Sequence, residues 1–176
     1  MYTESVKDIP EEDFDFIMKS LTKVIKCYGS SSVINANEAK KLHLIAPVIF
    51  GVVSVIPGVT VEIEQDLDGK NVKAHGHFEF SLVRGKKRVC IVEAKKDNFE
   101  KGFAQSLLGC EVIADIDHVS EVHSIVTNFS TWVFLKSLNE GILSDEKNFL
   151  SIEDETSSPQ ADQLRTIVGK IFSLLS

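Results

Sequence analysis

Apolar residues recur at helical spacing through residues 8–28, at Phe14, Ile17, Met18, Leu21, Ile25 and Tyr28, behind an acidic lead containing Asp8 and Pro10. That pattern predicts one amphipathic helix within an N-terminal helical extension, residues 1–34. A Gly-Ser-Ser-Ser break at 29–32 separates it from a strongly apolar helix that starts near Asn35, kinks at Pro47 and ends at Pro57-Gly58. Asn35 and Glu38 have the spacing of a capping box for its first turn. Then the period changes. Val59, Val61 and Ile63 alternate with polar residues, Asp66–Gly69 reads as a turn, and alternation resumes from Val72 to Val83 through Phe78, Phe80 and Leu82. Past the basic turn Arg84–Arg88, the run Val89–Ala94 is apolar on both faces, as a central strand would be. Helical spacing returns over Phe99–Asp115, and two further strands follow, Val122–Thr127 and Trp132–Leu135.

Residues 151–162 are acidic, Ser-rich and nearly devoid of apolar side chains, which predicts a flexible linker. Beyond it Leu164, Ile167, Val168, Ile171, Phe172 and Leu175 mark a closing amphipathic helix over 163–176, packed on its own domain or on a partner. The expected architecture is one α/β domain, an α+β arrangement with a mixed sheet: a core over 35–137 with extra helices at both ends. Those terminal helices leave room for a homodimer or a protein partner.

At 176 residues and 43% hydrophobic content the chain is large enough for a two-sided core. Its net charge of -7 excludes a protein that coats nucleic acid over its whole surface, so any such contact must be local. One local patch exists. Between Arg84 and Lys101 seven basic residues stand against three acidic ones. Cys27, Cys90 and Cys110 form no C-x-x-C pair and read as reduced core residues of an intracellular protein. The longest apolar run, Leu42–Pro57, is interrupted by His43, Pro47, Gly51 and Ser54, too short to span a membrane. No P-loop, dinucleotide fingerprint or G-x-S-x-G elbow occurs, which removes nucleotide-hydrolase, kinase and serine-hydrolase chemistry.

The chemistry-bearing residues gather on the central strand. Glu93 and Lys95 are two apart and project from one face, their Cα atoms roughly 6–7 Å apart. Glu79 lies in the hairpin neighbour, on the face opposite Phe78 and Phe80. A Glu-x-Lys on a strand is ordinarily a solvated ion pair. Here the flank Val89-Cys-Ile-Val92 predicts burial, where an unmatched charge is costly and more often functional. Two carboxylates able to share an ion, with an ammonium beside them, suit a hard cation such as Mg²⁺.

The ordered segments Gly76-His-Phe-Glu79-Phe, Ile91-Val-Glu93-Ala-Lys95-Lys and Ala104-Gln105 resemble the PD-(D/E)XK nuclease superfamily, in particular the nuclease-like domains of crinkler-type effectors. The resemblance spans residues 35–135. It implies a restriction-endonuclease-like core of αββαβ type and a nuclease site that uses Mg²⁺ or Mn²⁺. Glu79, Glu93 and the carbonyl of Ala94 would hold the metal, Lys95 would be the catalytic lysine, Glu38 would reach in from the preceding helix, and Gln105 would assist from the following one. Glu79 departs from the family's usual Asp by one methylene and follows Phe78 instead of Pro or Gly. Glu38 is equally explained by the capping box, and Gln105 by a solvated helix face.

Lys96 and Lys101, just past the site, are placed to meet phosphates. His75 and His77 flank Gly76 without a third ligand nearby and read as strand-surface residues; His77, on the face of Glu79, is the one placed to touch nucleic acid. The expected partner is nucleic acid, DNA ahead of RNA. The alternative is a catalytically inactive nuclease-like fold that binds nucleic acid or a host protein. Resemblance to effectors implies action within a host cell, in cytoplasm or nucleus.

Overall fold

The computed structural model describes residues 2–71, 74–95, 99–138 and 141–176, without the side chains of residues 34, 64, 65 and 77. The first predicted helix forms as α1 (Glu11–Tyr28), with Glu11, Glu12 and Asp13 in its first turn, where acidic residues complement the helix dipole. A one-turn helix, α2 (Ser30–Ile34), fills the Ser-rich break. The apolar helix α3 (Glu38–Ser54) continues through Pro47. Its cap differs from the sequence expectation: Asn37, not Asn35, is the N-cap, its side chain accepting from the Lys40 amide at 3.0 Å. Glu38 is thus the first helical residue and closes no capping box.

After α3 come β1 (Val59–Asp68), β2 (His75–Arg84), β3 (Lys87–Ala94), α4 (Phe99–Asp117), β4 (Glu121–Thr127) and β5 (Thr131–Leu138). As the alternation predicts, three strands precede α4, where the αββαβ order implied by the resemblance has two: β1 and β2 form a hairpin of their own before β3 joins. The predicted turn at 66–69 lies instead in the end of β1, where Asp66 and Asp68 pair with His77 and His75 of β2. Beyond β5 the chain adds β6 (Gly141–Ser144) and β7 (Asn148–Phe149), both paired with β5 and both missed by sequence patterning because they are short and polar-flanked. Among the described residues this gives a seven-stranded mixed sheet ordered β1-β2-β3-β4-β5-β6, with β7 on β5. Only the β3–β4 pair is parallel, and α4 is its crossover.

The sheet is sandwiched. On one side α1, α3 and the closing helix α5 (Ala161–Leu175) bury Ile17, Leu21, Leu44, Val48, Ile167 and Ile171 against Phe80, Leu82, Cys90, Val92, Trp132 and Phe134. On the other side α4 covers Phe78 and Ile91, and further along Val126 and Val133. The closing helix accordingly packs on its own domain. Gly109 of α4 lies so close to Phe78 and Ile91 that a Cβ there would overlap them.

Three more expectations are corrected. Residues 151–162 are not a structureless linker: β8 (Ile152–Glu153) pairs with β9 (Ser158–Pro159), and Pro159 is buried. The tight turn lets a polar segment satisfy its own backbone while one proline anchors it. Cys27 is exposed, while Cys90 and Cys110 are buried with free thiols, because Cys27 lies off the buried stripe of α1, Phe14, Ile17, Leu21 and Ile25. Phe78 and Phe80 do not share a face: Phe78 joins the α4 cluster and Phe80 the opposite core, the strand changing sides at Glu79.

Candidate active site

The residue pattern of β3 carries charge into the middle of the sheet. Its neighbours are β2 on one edge and β4 on the other, and Cys90, Val92 and Ala94 face the three-helix core while Ile91 faces α4. By the same alternation Glu93 and Lys95 fall on the α4 side. There the helix closes over them: Glu93 is 1% exposed and Lys95 8%. Gly102 seats the lysine. A Cβ at that position would come within 2.9 Å of Lys95 Cγ and 2.8 Å of Val126 Cγ1, so the stem of Lys95 passes where any other residue of α4 would block it.

The β2–β3 ladder ends at the pair Phe80–Val92, and the next residues outward on the two strands are Glu79 and Glu93. Lys95 Nζ lies 3.2 Å from Glu93 Oε2 and 3.5 Å from Glu79 Oε1, one ammonium between two carboxylates. Burial pushes the Glu93 carboxyl up to about 8, the Glu79 carboxylate adds to the rise, and Lys95 opposes it. For Lys95 burial is the largest influence and acts downward, yet Glu79, Glu93 and Glu38 together outweigh it and raise its pKa. At neutral pH Glu93 therefore keeps its proton and Lys95 its charge.

The hydrogen bonds of the trio are incomplete. Glu93 Oε1 and Glu79 Oε2 are buried without a hydrogen-bond donor, and so is Gln105 Oε1 on α4, three residues on from Gly102. Buried acceptors are nearly always satisfied in folded chains, which makes orphaned carboxyl oxygens beside a paired ammonium an open coordination set. A backbone oxygen joins them in direction. The Lys95 amide donates to Thr127 O of β4 at 2.8 Å, and since the N–H and C=O of a trans peptide point opposite ways, the Ala94 carbonyl is aimed toward β2. All of these donors are hard oxygens, the ligand type that Mg²⁺ and Mn²⁺ take. Among the described residues no three His, Cys, Asp or Glu side chains converge as a metal-binding group, so the side-chain carboxylates of this set are two.

The structure thus brings Glu79, Glu93 and Lys95 together. Glu38 stands exposed in the first turn of α3, near enough for its charge to act on Lys95. Lys101 is exposed in the first turn of α4. Lys96 and the side chain of His77 lie outside the described residues. His75 is turned to an exposed acidic pair, 3.0 Å from Asp68 and 3.4 Å from Asp66, and bonding to Asp68 raises its pKa. Sequence reading missed Gly102, whose only signal is its place on the buried stripe of α4, which also carries the small residues Ser106, Gly109 and Cys110.

Among the described residues no helix is long and apolar enough to cross a membrane. No protein-family model matches the chain, and no solved structure matches it. Over 176 residues, 99% of its length, it is 38% identical to a Phytophthora infestans protein named Crinkler effector protein 5. The chain spans about half of that relative, 49% of its length. From end to end, then, this chain is similar to one part of a crinkler effector.

Proposed function

We propose that the chain is a metal-dependent nuclease of the PD-(D/E)XK type, hydrolysing phosphodiester bonds of nucleic acid, DNA in preference to RNA. The observation that supports it most is the buried Glu79–Glu93–Lys95 trio with carboxyl oxygens left unpaired. Glu79, Glu93 and the Ala94 carbonyl would hold Mg²⁺ or Mn²⁺, with Glu38, whose charge acts on Lys95, to supplement them. When bound, the ion supplies Lewis-acid polarisation of a phosphoryl oxygen and lowers the pKa of water.

The chain's own residues do the rest. Lys95, held as an ammonium by its acidic neighbours, donates hydrogen bonds toward an attacking water or the charge growing on phosphorus, and is too firmly protonated to act as a base. Glu93 carries the proton that cation binding displaces. Gln105, with a free buried acceptor, orients a water or a ligand N–H. Lys96, Lys101 and His77 serve phosphate contacts. The β2–β3 pair and α4 exclude bulk solvent from the trio, which strengthens each of these interactions. Similarity to a protein named an effector supports action inside a host cell, in its cytoplasm or nucleus.

Plasmid DNA and structured RNA incubated with the chain in Mg²⁺, Mn²⁺ or EDTA test this reading. Cleavage should require the cation and vanish in Lys95→Ala and Glu93→Gln, with circular dichroism unchanged. Undiminished cleavage by both variants would sink it. A second reading, a nuclease-like fold kept for binding nucleic acid or a host protein, is favoured by one observation: Lys95 fills the gap between the carboxylates. Calorimetry with Mn²⁺ separates them, because a relic site gives no binding heat.

A further inference from the structure

Between α1 and α3 runs an apolar groove of about 750 Å³, floored by Val24 and Pro47 and walled by Phe16, Tyr28, His43 and Phe50. Two of its rings are unusually bare for their size, Phe16 at 65% exposed and Phe50 at 47%. Tyr28 and His43 are stacked, with centroids 6.1 Å apart and planes at 15°. His43 and Phe50 also line a second hollow, together with Ile63, Glu79 and Phe80. The aromatic groove therefore adjoins a residue of the candidate active site.

Charge along the groove separates by function. On α1 the acidic residues end at Asp15, and Lys19, Lys23 and Lys26 follow, exposed along the flank of the groove-lining stripe Phe16–Ser20–Val24–Cys27. None of the three makes an ion pair among the described residues. Across the groove Lys40 stands over the Tyr28 ring, 5.2 Å from its centroid. In a chain of net charge -7, this is a row of aromatic faces with a cationic rail.

We infer that the groove is the track for a single-stranded nucleic acid, its bases laid on Phe16, Phe50 and the Tyr28–His43 stack and its phosphates along Lys19, Lys23 and Lys40. A duplex hides its base faces in its own stack, so flat apolar rings of this kind recognise unpaired bases. The inference rests on the nuclease reading only in naming the substrate of that site: the strand would reach Glu79 as single strand. An acidic amphipathic helix is the competing occupant, since it too would match rings and lysines.

The test is fluorescence anisotropy in EDTA, with the full chain and a labelled dodecamer of thymidylate, a labelled uridylate dodecamer, and a duplex of the same length. Single strand should bind more tightly than duplex. Phe16→Ala/Phe50→Ala should weaken it at least about tenfold, given the usual worth of a base–aromatic stack. Lys19→Glu/Lys23→Glu should weaken it and flatten its salt dependence. Lys19 and Lys23 are exposed, so their substitution should not change thermal melting, and circular dichroism should show the Phe16→Ala/Phe50→Ala chain folded. Unaltered binding by the Phe16/Phe50 variant, preference for duplex, or direct binding of a labelled acidic helical peptide by a chain that binds no oligonucleotide would overturn the inference. Metal-dependent cleavage that survives Phe16→Ala/Phe50→Ala with unchanged strand affinity would leave the nuclease reading standing and this one refuted. Single-strand binding lost in that variant, in a chain that cleaves nothing, would do the reverse.

Discussion

Two of the buried charge clusters among the described residues are built to different ends. On the α5 side Lys170 and Asp145, 4% and 0% exposed at their side chains, meet at 2.5 Å, and the ammonium also sits 5.7 Å from the Phe134 ring centroid. One cation faces one anion, and neither carboxylate oxygen of Asp145 is left unpaired. At the end of β3 one cation faces two acids, and carboxyl oxygens remain without donors. The first cluster is closed and ties β6's exit to α5. The second is open, with a surplus of acceptors that suits the proposed cation. Burial of charge alone does not distinguish the two clusters; unmatched acceptors do.

Breaking each cluster should expose that difference. Lys95→Ala should cut cleavage by about 10²–10⁴-fold in a plasmid-nicking assay, the range for losing a positioned electrostatic group. It should leave Mn²⁺ binding in place, because Lys95 is not a ligand. Asp145→Ala, by contrast, strands a buried ammonium and should cost about 3–5 kcal/mol of stability, seen as a large drop in Tm, while the protein that remains folded cleaves normally. If Asp145→Ala instead abolished cleavage at temperatures where the chain is folded, the closed cluster would not be merely structural.

Smaller effects sharpen the open cluster. Because Glu93 keeps its proton up to about pH 8, a cation must displace it, and Mn²⁺ affinity measured by calorimetry should rise up to about tenfold per pH unit from pH 6 and level off above pH 8. A flat affinity across that range would mean that Glu93 is not a ligand. The same raised pKa acts on stability. The unfolded chain loses this proton near the ordinary 4.5 and the folded chain only near 8, so the folded state is progressively disfavoured as pH rises between those values. Glu93→Gln should therefore melt like wild type below about pH 4 and a few degrees higher above pH 8 in the absence of metal. A Tm difference that does not change with pH would contradict the assignment.

The trio is legible in the sequence because two local patterns coincide at it. A strand apolar on both faces must be central, and Glu93 and Lys95 two apart must share a side of it. The hairpin then delivers Glu79 through a short turn at Gly85, whose φ of 64° suits glycine. What patterning misjudges is conformation that depends on distant partners. Asn35 and Asn37 are both competent caps, and which of them starts α3 is a matter of where the helix packs. Phe78 and Phe80 obey alternation in their spacing, yet one is claimed by the α4 cluster and the other by the α3 side.

By itself the sequence determined the order of the long helices and of strands β1 to β5, the central strand and the three residues that meet at its end, since these follow from local spacing and one short hairpin. The tertiary structure decided the rest. It chose Asp145 as the partner of Lys170 across 25 residues of chain, left Glu93 and Glu79 with unpaired oxygens, cleared a path for Lys95 at Gly102, and set α1 against α3 so that their rings line one groove. Each of these is a contact between segments remote in sequence. Neither periodicity nor propensity encodes such contacts; the packing of whole elements against one another does.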